Sequence, residues 1–393
     1  MTNTGKLNYR FIDTESELEN IIDSLEKKKT IAFDLEADSM FHYKEKVCLV
    51  QLSTDNDVVV IDPLSSADLS LLKPIFFRHD IKKVFHGADY DIRCLYRDFA
   101  IEINNLFDTQ LACRFLGTPE TGLNNVIKKR FNINLDKKYQ KKDWSKRPLP
   151  EKMIQYAASD TFYLLRLAGI LEKELEKKGR IAWVLEECEI LSRARPALSN
   201  NRPLYLSFKG AGRLRPKNLA ALEALLQFRK KIAEKKDRPL FKVIGNNSVM
   251  NIAISLPDSL KRLTEIKALS SRQICMYGKS IIELIENTLK IAEKDLPVYP
   301  RNNTPVLNPQ IQKRIKDIKC WRKKKAEQLG ICPGLLCNNQ LINSIALKNP
   351  VETKDFESIK GMKKWQKSEF SNELIAVLKK ANLSNVQGGV GYA

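Results

Sequence analysis

Two acids sit inside an apolar stretch at residues 30–38, TIAFDLEAD. Ile31, Ala32, Phe33 and Leu35 ask for burial, and the short run suits a strand of a packed sheet. Asp34 and Glu36 lie two apart, so a strand projects both from the same face. Any fold that buries this strand must place two carboxylates side by side against a core. That arrangement costs free energy unless the charges are paired or bind a metal.

Two more acids stand in similar settings. Asp91 lies in VFHGADYDIRCLY, and Asp160 in YAASDTFYLL. Residues four apart share a helix face, so Tyr156 and Asp160 project together. Asp89 precedes Asp91 closely, and either is able to cap a helix. Two unit charges about 4 Å apart repel by roughly 4 kcal/mol at an effective dielectric near 20. Four carboxylates gathered in one cleft therefore need cations to stay ionised. Two divalent ions supply the balancing charge, and all-oxygen ligation favours Mg²⁺ or Mn²⁺ over zinc. Sites of that kind hydrolyse phosphodiesters. On this reading Asp34, Glu36, Asp91 and Asp160 are the metal ligands, and Tyr156 holds the attacking water.

The first half alternates strand and helix signals. Strands are expected at 30–36, 47–53 and 58–61 as an antiparallel meander, then at 83–86 and 105–107. Helices are expected at 67–77, 89–97 and 109–115, with Asp108 as a cap for the last. One long helix is expected at 153–175, with Met153, Tyr156, Ala157, Asp160, Leu164 and Leu167 on one stripe. The result is an α/β domain built on a mixed sheet.

The texture changes near Arg195. Residues 195–214 carry Pro, Gly and polar side chains without periodicity, and 295–307 is a second such break. Between and after them the pattern is helical. The two helical blocks look like copies of one unit: Asn246-Asn247 pairs with Asn338-Asn339, and the apolar positions after each doublet fall in step. The expected organisation is 1–194 (α/β domain), 195–214 (linker), 215–294 (first helical module), 295–307 (linker), 308–383 (second, divergent module) and 384–393 (flexible tail).

The net charge of +20 is unevenly placed. Residues 1–200 hold 31 Lys and Arg against 31 Asp and Glu; residues 201–393 hold the other 36 against 16. A neutral half with clustered acids joined to a polycationic half points to chemistry in one part and nucleic-acid holding in the other. The block beginning Arg322-Lys323-Lys324 offers phosphates a basic stripe. Lys141, Lys142, Lys146 and Arg147 are candidates for backbone phosphates nearer the acids. His42, Tyr43 and Trp144 are candidates for contact with a terminal nucleotide, while His86 reads as structural.

Three histidines are too few for imidazole-rich metal sites. Eight scattered cysteines without a CxxC pair read as thiols of a reducing compartment. No long apolar stretch spans a membrane and the N-terminus has no signal-peptide core, so a cytoplasmic protein without membrane partners is expected.

The three acidic segments resemble the exonuclease motifs of the DEDD 3′→5′ exonucleases, which have the ribonuclease H-like fold. The Tyr-x-x-x-Asp of YAASD resembles their DEDDy branch. The run KKYQKKDWSKRPLPEKMIQYAASDTFYLL resembles the ribonuclease D family in particular, and the helical repeats resemble the HRDC modules that family carries in tandem. The resemblance implies an α/β ribonuclease H-like exonuclease domain followed by two all-α HRDC-type modules. It implies a metal-dependent exoribonuclease that trims RNA 3′ ends, tRNA precursors among them, and releases 5′-mononucleotides. Asp34, Glu36, Asp91 and Asp160 match the family's ligand positions, and Tyr156 its water-positioning tyrosine. Other readings stay open: a DNA-directed exonuclease of the same chemistry, a non-catalytic RNA-binding scaffold, or a protein-binding adaptor. No GxxxxGK[ST] loop accompanies the motifs.

Overall fold

A computed structural model describes residues 7–65, 67–196, 202–300 and 308–383. The expected tail at 384–393 lies outside the described residues, as does much of the second expected linker. The chain divides into two compact units. One contains residues 1–36, 47–196 and 304–393; the other contains 37–46 and 197–303.

The first unit is built on a six-stranded sheet. Its strands are β1 (Arg10–Ile12), β2 (Thr30–Ala37), β3 (Val47–Ser53), β4 (Val58–Ile61), β5 (Lys82–Phe85) and β6 (Leu106–Asp108). Their order is β1-β4-β3-β2-β5-β6. β3 and β4 are antiparallel, while β1 pairs with β4, β2 with β5 and β5 with β6 in parallel, so the sheet is mixed. The sequence missed β1, whose three residues are too few to show a period. Every residue of β3 is buried, which fits a strand covered on both faces.

The helices of the same unit include α1 (Glu15–Glu26), α2 (Lys73–Phe77), α3 (Asp89–Phe99), α4 (Thr109–Leu116), α5 (Leu123–Phe131), α6 (Glu151–Phe162), α7 (Leu164–Lys177) and α8 (Ile181–Ser192). The helix expected at 67–77 is split. Asp68 caps a 3₁₀ turn at Leu69–Leu72, and Pro74 then opens α2 as a new first turn. The long helix expected at 153–175 is also two helices. The backbone at Tyr163, with φ −92° and ψ −8°, ends α6 and starts α7.

In the other unit, α9 (Pro216–Lys235), α10 (Leu240–Val243), α11 (Asn246–Ser255), α12 (Leu260–Glu265) and α13 (Ser271–Leu289) enclose a core of Leu222, Ile252, Leu263, Ile281 and their neighbours. The first unit ends with α14 (Pro309–Leu329), α15 (Pro333–Leu336), α16 (Asn339–Lys348) and α17 (Lys364–Leu383).

The two helical modules repeat with a constant offset. Pro309, Pro333 and Asn339, which begin α14, α15 and α16, each follow Pro216, Leu240 and Asn246 by 93 residues. Their polar skeletons match. Arg229 donates to the carbonyl of Ile244 and to Asn246 Oδ1; Arg322 donates to the carbonyl of Cys337 and to Asn339 Oδ1. Gln273 donates to the carbonyl of Val243, and Gln366 to that of Leu336. The register therefore sets Asn246 against Asn339, one residue from the doublet-on-doublet pairing the sequence suggested. A doublet looks the same after a slip of one, whereas a buried arginine has one set of carbonyls within reach.

The second module shares the α/β layer's core. Trp365 stacks on Trp183 with ring centroids 4.7 Å apart, and Phe115 meets Trp365 edge-on at 5.7 Å. The Glu186 carboxylate accepts from the backbone N–H groups of Lys364 and Trp365 at the start of α17. Glu187 pairs with Lys363 and accepts from the Trp365 indole. Arg180 donates to the carbonyls of Phe115 and Leu329. At Gly117, φ is +85° and an added Cβ would lie 2.0 Å from the carbonyl oxygen of Gly330, so only glycine fits there.

Candidate active site

Three elements of the first unit carry the acids. On β2, Phe33 and Leu35 enter the hydrophobic core, so strand alternation turns Asp34 and Glu36 to the opposite face. On α3 the ambiguity between two aspartates is resolved. Asp89 is exposed and pairs with Arg93, while Asp91 is buried. On α6, Tyr156 and Asp160 lie one turn apart.

Electrostatics shows that these side chains converge. Burial pushes the Asp34 carboxyl up to about 7, opposed by a backbone hydrogen bond at Leu35. Glu36 is raised well above the usual carboxylate range, first by burial and then by the charges of Asp34, Asp160 and Asp91. Asp91 is raised by burial, then by Asp34 and Asp108. Asp160 is raised by burial and by Asp34, against a side-chain hydrogen bond with Tyr156. The Tyr156 hydroxyl is raised by burial and by the charges of Asp160, Glu36 and Asp34, so it stays protonated and able to donate.

An open cleft of about 370 Å³ is lined by Asp34, Glu36, Tyr156 and Asp160. Asp91 is not part of that lining; it is 7% exposed and close enough to Asp34 to feel its charge. Gln110, Asn124, Asn125, Lys137 and Gln140 also line the cleft. The sequence reading passed over them, although Asn124-Asn125 opening an apolar helix was a visible signal. Asn124 accepts from the Leu135 backbone N–H, which ties the 133–136 segment to α5. His86 lines the cleft too, with both ring nitrogens engaged by Thr109 Oγ1 and the Thr121 carbonyl, each at 2.8 Å. That agrees with its reading as structural.

The donor chemistry fits hard divalent cations: four carboxylates, with the one nearby imidazole already committed. Among the described residues, no Lys or Arg is ion-paired with any of the four. Nor, among those residues, do three His, Cys, Asp or Glu side chains already close around one point.

Three expected RNA contacts, Trp144, Arg147 and Arg322, are corrected. Trp144 is 1% exposed and stacks on Tyr156 at 6.1 Å, so it presents no face to a nucleotide; it packs Tyr156 in place. Arg147 is committed to Asp62 through two hydrogen bonds of 2.5 and 2.6 Å, and to the carbonyls of Trp144 and Cys48. It clamps the 144–147 loop to β3 and β4, which leaves no fork for a phosphate. Arg322 holds the second module together, as above. His42 and Tyr43 belong to the other unit, where Asp237 holds the His42 ring at 2.6 Å and the Tyr43 backbone N–H at 3.0 Å. Lys146, Lys323 and Lys324 are exposed.

The chain matches a 3′-5′ exonuclease family model at residues 9–176 and the HRDC domain at 218–285 and again at 312–378. Ribonuclease D of Escherichia coli is 29% identical over 344 residues, covering 86% of this chain and 90% of that protein. The crystal structure of the E. coli enzyme superposes with a TM-score of 0.71 at 27% identity, covering 95% of this chain and 99% of that one. This chain belongs to the ribonuclease D family. It is a 3′→5′ exoribonuclease with a ribonuclease H-like domain and two HRDC modules, and RNA is its substrate. The catalytic core of RRP6 from Trypanosoma brucei is also similar, with a TM-score of 0.62 and 30% identity over 72% of this chain and 80% of that one. Among the described residues, no helix is long and apolar enough to cross a membrane.

Proposed function

We propose that this ribonuclease D-family protein trims the 3′ extensions of structured RNAs, tRNA precursors among them, and releases 5′-mononucleotides at the Asp34–Glu36–Asp91–Asp160 site. The similar E. coli protein is described as an exoribonuclease involved in structured RNA processing, which supports the substrate class. One observation carries the site: four acids from three elements, one buried and three half-buried, stand close enough that the charge of Asp34 adds to burial in raising Glu36, Asp91 and Asp160, and none of the four pairs with a basic side chain among the described residues.

Asp34, Glu36, Asp91 and Asp160 would hold two Mg²⁺ or Mn²⁺ ions, which when bound activate water and stabilise the departing 3′ oxygen. The protein's own groups do the rest. Tyr156, packed between Trp144 and Tyr139, keeps its O–H in one place beside Asp160 and orients the attacking water. The polar side chains of Gln110, Asn125 and Gln140 face the terminal nucleotide in the cleft. The basic helical modules, 215–294 and 308–383, contribute phosphate contacts. All eight cysteines remain thiols, in keeping with a cytoplasmic setting.

The test is digestion of end-labelled RNA and DNA, each with a structured body and a 3′ tail, by wild type and Asp34→Asn. The proposal expects metal-dependent mononucleotide release from RNA by wild type alone. Equal cleavage by Asp34→Asn would refute the site, and faster cleavage of DNA would refute the substrate.

A further inference from the structure

The acid at the end of β6, Asp108, is 1% exposed and takes no part in the chemistry assigned above. Both of its oxygens are in use. Oδ1 accepts from the backbone N–H groups of Gly87 at 3.0 Å, Gln110 at 2.7 Å and Leu111 at 3.1 Å. Oδ2 accepts from the N–H of Ala88 at 2.9 Å. Two of these donors open α4, for which Asp108 is the cap. The other two lie just before α3, whose own cap position is Ala88, a residue with no side-chain oxygen to offer. One carboxylate thus caps α4 and holds the turn that leads into α3.

The partition has consequences for the site. α3 carries Asp91 in its first turn, and α4 carries Gln110 in its first turn. Next in sequence, Thr109 Oγ1 donates to the Phe85 carbonyl and contacts His86 Nδ1. The loop between β5 and α3 is therefore fastened to the start of α4 by the Asp108–Thr109 pair. Gly87 sits in this loop at φ +80°, against the Gln110 amide, so the chain turns there without a Cβ.

We propose that Asp108 is a positioning residue of the exonuclease site, one that holds the turn before α3 and so places Asp91 for cation binding. The inference rests on the reading of those four acids as the metal site. Four backbone N–H donors fix the carboxylate between the turn before α3 and the start of α4. Its charge reaches Asp91. Outer partners that orient a ligand generally change metal affinity or activity by about 10–100-fold when removed.

Two variants separate positioning from simple support of the fold. Asp108→Asn keeps the shape but removes the charge and turns an amide against a donor. Asp108→Ser keeps a good cap for α4 while its short hydroxyl cannot also reach Gly87 and Ala88. Each is checked for folding by circular dichroism, then titrated with Mn²⁺ by electron paramagnetic resonance without RNA, and assayed for kcat and KM on tailed RNA. The expected result is Mn²⁺ affinity weaker by about 10-fold or more and a fall in kcat, with KM for RNA unchanged. Folded Asp108→Ser protein with wild-type Mn²⁺ affinity and kcat would overturn the inference, whatever its melting temperature. Wild-type protein that bound no Mn²⁺ would instead overturn the metal-site reading.

Discussion

Trp183 of α8 and Trp365 of α17 lie nearly face to face, 20° from parallel, although they are far apart in sequence. Both are almost fully buried, in one hydrophobic core shared by the sheet, its helices and the second HRDC module. Glu186 and Glu187 fasten the start of α17 beside them. This module is thus part of the body that holds the carboxylates, and its loss would be felt there.

Trp365→Ala should destabilise the first unit by about 3–5 kcal/mol, as expected for truncating a buried tryptophan. Urea unfolding followed by near-ultraviolet circular dichroism measures it. The exonuclease domain and the module should lose structure in one transition. A mutant whose α/β signals kept their midpoint while the module melted early would show two independent bodies.

Basic side chains of the modules should divide by burial. Lys323 and Lys324 are exposed, and replacing both with Ala should weaken RNA binding and reduce the slope of log K against log salt by about 1.4, at roughly 0.7 per phosphate contact of a single strand. Arg322→Met should leave the slope alone and lower stability by about 1–3 kcal/mol, because the buried carbonyl of Cys337 loses its donor. Filter binding at several salt concentrations, beside thermal melts, distinguishes the two. A large slope change from Arg322→Met would return that residue to the RNA surface.

The site should link metal and protons with a definite sign. Asp34 has a folded pKa of about 7 against the ordinary 3.8, so without cations the native protein binds more protons than the unfolded chain between those values. Stability then falls as pH rises through 7. In chelator, wild type measured against Asp34→Asn should lose melting temperature from pH 5.5 to pH 8.5. Adding Mg²⁺ should cancel that loss by favouring the ionised form. A wild-type advantage that grew with pH in chelator would contradict the assignment.

Tyr156→Phe should slow cleavage by about 10²-fold while leaving Mn²⁺ affinity near wild type, since the hydroxyl orients water and is not a ligand. Single-turnover cleavage and a separate Mn²⁺ titration measure the two effects. An unchanged rate would reduce Tyr156 to packing against Trp144.

What the sequence disclosed follows from the range of its signals. Asp34 and Glu36 were legible because strand alternation is local, and Tyr156 with Asp160 because helix spacing is local. The α6–α7 break at Tyr163 was not, since the apolar stripe runs on through it. Trp144 and Arg147 looked available for RNA because nothing in a linear chain shows a tryptophan sinking behind Tyr156 or an arginine finding Asp62. The docking of the second module was hidden for the same reason: it depends on Trp183, Phe115 and Trp365 meeting across the fold. The capping role of Asp108 was half legible, because only the helix beside it in sequence was in view.

The most direct test is a crystal grown with Mn²⁺ and measured for anomalous scattering. Two peaks, with oxygens of Asp34, Glu36, Asp91 and Asp160 all coordinated, are predicted. Well-ordered carboxylates turned away from one another, with no peak among them, would contradict the account.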